Sequence, residues 1–150
     1  MDTDTYPDAG VSQDVSGNFV AVKLVSKDNI EVARRFQVRW LPTIVVTDQN
    51  ERIHHSWVGF LPPKWFTMEL LYGKAQLAFG QKDFKRSIEL YDRVVAEYGQ
   101  AERAPESLYW KGVATYRQTN NFADAIPVFK GIVEKYPSSI WSRKVEALIS

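Results

Sequence analysis

A repeat of 38 residues constrains this chain more than any other feature. Phe84, Ser87, Ile88, Tyr91, Val94, Val95 and Tyr98 return as Phe122, Ala125, Ile126, Phe129, Ile132, Val133 and Tyr136. Upstream, Leu71, Ala75 and Ala78 return as Tyr109, Val113 and Tyr116 at the same offset. The apolar positions within each copy fall three and four apart, the spacing of one helix face. A period of this length marks a two-helix unit that buries its apolar face only by stacking on its neighbour. The expected helices are Pro63–Gly80 with Phe84–Tyr98, then Pro105–Gln118 with Phe122–Tyr136. Ala75, Ser87 and Ala125 are small where paired helices must approach closely. Pro105 opens a helix and Pro137 follows one, as expected of proline. Pro127 is awkward, because inside a helix running from Phe122 it removes a backbone hydrogen bond. Ile140–Ile149, entered through Ser138-Ser139, is expected to cap the stack.

The first 60 or so residues read differently. Phe19–Val25 is a strand candidate apolar on both faces, as suits a strand covered from two sides. Asp28-Asn29-Ile30-Glu31 reads as an N-cap followed by a carboxylate and opens a helix whose buried face is Ile30, Val32, Ala33 and Phe36. Thr43–Thr47 is a second strand. The turn Asp48-Gln49-Asn50-Glu51 leads to a third, Arg52–Val58, so the last two form an antiparallel hairpin. Strand, helix and strand in that order imply a right-handed crossover. The fold class expected is therefore α/β (βαββα) over residues 1–66, followed by an all-α stack of two repeats and a capping helix over 67–150, with helix 62–80 shared.

Composition excludes several functions. Net charge is +1, which favours neither nucleic acid nor an anionic membrane surface. No apolar run approaches the roughly 18 residues that span a bilayer. Residues 1–10 carry no basic end and no apolar stretch, so no secretory signal is expected in the chain as it stands. With no cysteine there is no disulfide, thiolate nucleophile or thiolate metal ligand, which fits a cytoplasmic location. Five tryptophans in a chain that is 13% aromatic read as core filling.

The helical half, about residues 67–149, resembles tetratricopeptide repeats: Ala125, Phe129 and Pro137 meet the consensus small, aromatic and proline positions in the second repeat. The first repeat has Ser87 and Gly99 at the alanine and proline positions, and the longer period implies four extra residues around Ala101–Ala104. The earlier half, about 4–66, resembles the later part of a thioredoxin fold. Val38-Arg39-Trp40-Leu41-Pro42-Thr43 before Ile44-Val45-Val46 matches the loop that carries a cis-proline, which makes Pro42 the cis candidate. Val58-Gly59-Phe60 matches the end of the hairpin, and Thr5-Tyr6-Pro7-Asp8 resembles the segment after the redox helix. The resemblance implies a missing strand and Cys-x-x-Cys helix. That strand would lie between Phe19–Val25 and Thr43–Thr47, so either these two pair directly or an edge stays open, and an open edge recruits another chain.

Candidate sites are then few. Trp40, Leu41, Pro42 and Thr43 form the loop that, in thioredoxin-like proteins, pairs with an extended polypeptide; the bland alternative is that Pro42 shapes a turn and Trp40 packs. Tyr72, Gln76, Tyr109 and Lys111 lie on the first helices of the repeats, whose concave face commonly binds peptides. His54 and His55 point to opposite strand faces, cannot grip one metal ion together, and read as partly exposed. Glu69 and Lys74 read as ordinary solvated charges. No phosphate loop, Ser/His/Asp set or paired carboxylates stand out, and no cofactor or metal is expected. The function expected is a non-enzymatic protein-interaction module that binds protein or peptide and self-associates through an open sheet edge. The alternative is a fragment of a thiol–disulfide oxidoreductase whose cysteines lie upstream.

Overall fold

The computed structural model describes all 150 residues, which form two compact units, Met1–Leu70 and Leu71–Ser150.

In the first unit, helix α1 (Ala9–Asn18) follows Asp8, whose Oδ1 accepts a hydrogen bond from the Val11 amide at 3.0 Å. No element was expected over these residues. Val11, Val15 and Phe19 recur at intervals of four and bring one stripe of the helix against Val46, Trp57, Phe66 and Leu70. Thr5 is fully buried and its hydroxyl donates to the Leu61 carbonyl at 2.6 Å. The hairpin forms as expected, with β1 (Thr43–Thr47) and β2 (Ile53–Val58) antiparallel in the register Thr43 opposite Val58, and a bulge between Val46 and Thr47. Strand alternation sends Ile44 and Val46 to the core just described and Thr43, Val45 and Thr47 to the other face.

The expected first strand is not made. Phe19–Val25 joins no ladder, and the sheet has two strands. Strand formation is a tertiary property: an apolar, β-branched run takes its hydrogen bonds from a neighbour, and none lies beside this one. Helix α2 (Ile30–Arg35) starts where expected, but its cap differs. Asp28 ends a short 3-10 turn, and the Asn29 side chain donates to the Val25 carbonyl at 2.9 Å rather than capping the helix. None of its apolar residues is buried, and the sheet has only two strands to offer them.

Helix α3 (Pro63–Gly80) gives Phe66 and Leu70 to the first core and Leu71, Tyr72, Ala75 and Ala78 to a second. The second unit continues with α4 (Phe84–Glu97), α5 (Arg103–Thr119), α6 (Ile126–Lys135) and α7 (Ile140–Ile149). Asp83 and Ser139 cap α4 and α7, accepting from the amides of Arg86 and Ser142. Ala75, Ser87 and Ala125 are fully buried as expected, and the Ser87 hydroxyl donates to the Ala75 carbonyl at 3.0 Å. The continuous helix expected from Phe122 is instead broken. A 3-10 turn spans Phe122–Asp124, and α6 restarts so that Pro127 falls in its first turn, where its missing N–H costs nothing.

Helices α5 and α6 pack tightly at Gly112 on α5. A Cβ there would sit 2.3 Å from Cε1 of the Phe129 ring on α6. Gly112→Ala is therefore expected to destabilise the unit by about 1–2 kcal/mol, the overpacking cost exceeding the gain of roughly 1 kcal/mol in helix propensity. Thermal denaturation followed by circular dichroism checks the sign; a raised midpoint would contradict this packing.

Candidate functional site

The geometry of the first unit centres on the free edge of β1. The Gly59 amide donates to the Pro42 carbonyl at 2.8 Å, which makes Pro42 and Gly59 a hydrogen-bonded pair. Bonded pairs alternate along an antiparallel ladder, so Ile44 and Val46 face β2 with their amides and carbonyls. Thr43 and Val45 turn theirs the opposite way, where no other segment meets them. The backbone of Val20–Leu24 is likewise unpaired, and its apolar side chains stand in solvent: Val20 is 95% exposed, Val22 73% and Leu24 50%. Between these two unsatisfied segments runs a trough of about 220 Å³ with a mixed polar and apolar lining. Val22 and Leu24, Ser26 and Asn29, Val32 and Ala33 of α2 with Phe36 just after it, and Thr43, Val45 and Thr47 line it. Two sets of idle backbone donors and acceptors beside apolar side chains are the ingredients for accepting an extended strand.

The loop residues sit at one end of this trough. The Leu41–Pro42 peptide is cis, and Leu41 and Thr43 line the trough. The Thr43 hydroxyl donates to the Trp40 carbonyl at 2.6 Å. Trp40 does not pack; it is 73% exposed.

The histidines differ from expectation. Both side chains are buried, not partly exposed: His54 Nε2 lies 3.0 Å from Asp48 Oδ2, and His55 Nε2 lies 2.6 Å from Glu69 Oε2. Glu69 is correspondingly buried on α3 rather than solvated. A buried imidazole requires a partner, and here each finds a carboxylate. The two pairs lie on opposite strand faces, and no cluster of three or more His, Asp or Glu is placed to hold a metal ion. Asp48 also organises the hairpin turn, its Oδ1 accepting from the amides of Asn50 at 2.8 Å and Arg52 at 3.1 Å. The hydrogen bond from His54, helped by those from Arg52 and Asn50, holds the Asp48 carboxyl below its ordinary value of 3.8. A carboxyl depressed in the folded state stabilises it above the ordinary pKa, and that contribution is lost as pH falls through the lower folded value. Asp48→Asn is expected to lower the melting temperature at neutral pH and flatten its decline below pH 3.8, which melts across a pH series would show.

In the second unit the four groove candidates part company. Tyr72 and Gln76 on α3 meet, the Gln76 amide donating to the Tyr72 hydroxyl. The Arg103 guanidinium lies 4.9 Å above the Tyr72 ring and pairs with Glu106 at 2.6 Å, so α3 and α5 share a polar cluster that the sequence did not announce. Tyr109 instead packs between Phe129 and Trp141, its ring 4.9 Å from the Trp141 ring. Lys111 reaches Asp92 on α4 at 2.6 Å. Burial, then the nearby Glu106 charge, pushes the Tyr72 phenol far up; burial also raises Tyr91. Neither phenol ionises near neutrality, so this cluster offers hydrogen bonds and a cation, not a nucleophile.

The tetratricopeptide repeat family model matches residues 69–140, the span of the helical stack. Comparison with curated proteins and with solved structures gives no match. No helix is long and apolar enough to cross a membrane.

Proposed function

We propose that this chain is a non-enzymatic protein-interaction module that binds polypeptide and self-associates through the open edge of β1. The observation that carries this reading is the unpaired backbone of Thr43 and Val45 beside the trough. Tetratricopeptide repeats generally mediate protein–protein contacts, which supports a second, short peptide-binding surface on the helical unit. Within it we favour Gln76, which is partly exposed beside the buried Tyr72, over Tyr109 and Lys111, whose side chains are engaged in packing and an ion pair. Trp40 and Leu41 present apolar surface next to the trough. We read the α/β unit as a thioredoxin-like scaffold without redox cysteines; the antiparallel β1–β2 hairpin and its closure at Gly59 support this.

Light scattering across a dilution series tests the proposal. A mass of twice the 17.2 kDa chain that falls towards one chain on dilution is expected. A mass of 17.2 kDa at every concentration would overturn self-association. The same hairpin also suits a second reading, the later part of a thiol–disulfide oxidoreductase. An in-frame Cys-x-x-Cys in the genomic sequence immediately before Met1 would select that reading.

A further inference from the structure

We propose that the occupant of the trough is Phe19–Val25 of a second copy, exchanged reciprocally; this rests on the self-association just proposed and names its geometry. Each chain carries both halves of the interaction: a segment, Val20–Leu24, whose backbone has no hydrogen-bond partner and whose valines and leucine are exposed, and a β1 edge with amides and carbonyls to fill. They do not bond each other within one chain, although both line the same cavity. In a two-fold dimer the strand order becomes β2, β1, the partner's segment, this chain's segment, the partner's β1, the partner's β2. Each segment thereby fills the other chain's trough, and the interface closes on itself as two-fold contacts require.

Directions agree as well. A right-handed crossover through α2 would set Phe19–Val25 parallel to β1 of its own chain, and the two-fold copy then runs antiparallel to both. The exchange buries the side chains of Val20, Val22 and Leu24, now standing in water. Each chain contributes both its segment and its trough, so the contact is made twice over, towards the roughly 1,200–2,000 Å² that a stable interface buries. Lys23, the one charge in the segment, already pairs with Asp2 at 2.7 Å, so no lone ammonium is desolvated.

The absence of native cysteine makes the test clean. In the proposed dimer Val22 lies near the two-fold axis, opposite its own copy, whereas Ser56 on β2 lies far from its copy. A short bis-maleimide is expected to cross-link Val22→Cys into dimers and leave Ser56→Cys monomeric. Val22→Lys is expected to weaken the dimer at least about tenfold by light scattering, with an unchanged circular dichroism melt under monomeric conditions because Val22 is exposed there. A wild-type dimer that Val22→Lys leaves intact and Val22→Cys does not cross-link would overturn strand exchange while self-association stands. A wild-type monomer at all concentrations would overturn both and leave the trough to a different polypeptide.

Discussion

Phe129→Ala is expected to cost the helical unit about 3–5 kcal/mol, the range for emptying a buried phenylalanine site. Phe129 is 2% exposed and sits where α5, the 3-10 turn and α6 converge. Its ring lies 5.9 Å from the rings of both Tyr109 and Phe122, and it fills the space opposite Gly112. Its neighbours are fixed on separate helices and cannot collapse into the gap. Phe129→Leu keeps much of the volume and is expected to cost less than half as much. Urea denaturation followed by circular dichroism measures both; equal losses would mean that the aromatic ring itself, rather than its volume, matters at this site.

Trp57→Ala is expected to remove a similar 3–5 kcal/mol from the first unit. Only five residues form the buried centre there, and Trp57, 7% exposed, is the largest. Its ring stands edge-on to Phe66 at 5.3 Å and beside His55 at 5.6 Å. The buried indole N–H finds no acceptor, and an unsatisfied buried donor costs about 1–3 kcal/mol. Trp57→Phe discards that donor along with part of the ring, so the two effects offset and a change under about 1 kcal/mol is expected. Tryptophan-free fluorescence is unsuitable with four other tryptophans present, so amide exchange of Val46 is the better probe. A Trp57→Phe loss as large as that of Trp57→Ala would contradict this account of the core.

What was legible in the sequence follows how local the cause is. The 38-residue period located the four repeat helices, apart from the break after Phe122, because each repeat writes its packing face into spacings of three and four. The hairpin was equally legible from Thr43–Thr47, a four-residue turn and an alternating partner. Phe19–Val25 was misread because strand chemistry is present while the pairing partner is not, and pairing is not a property of the segment alone. Helix α1 was missed because Gly10, Ser12, Ser16 and Gly17 dilute its pattern; Asp8 as a cap and Val11, Val15 and Phe19 at intervals of four were the signal that could have found it. The break before Pro127 was signalled as a cost but not as its remedy. The histidine pairs depended on partners at Asp48, local enough to suspect, and at Glu69, which only the folded chain brings to His55. The Tyr72, Gln76, Arg103 and Glu106 cluster was half visible: the first two were singled out, while the Arg103 and Glu106 contribution depends on how α5 follows the turn at Ala101.

The open edge of β1 is best tested amide by amide. Hydrogen exchange read by NMR at low and high protein concentration should slow at Thr43 and Val45 as concentration rises. Ile44 and Val46, already bonded to β2, should change little. That alternation along one strand is the result expected if the edge takes a polypeptide partner. Thr43 and Val45 exchanging freely at every concentration would contradict it.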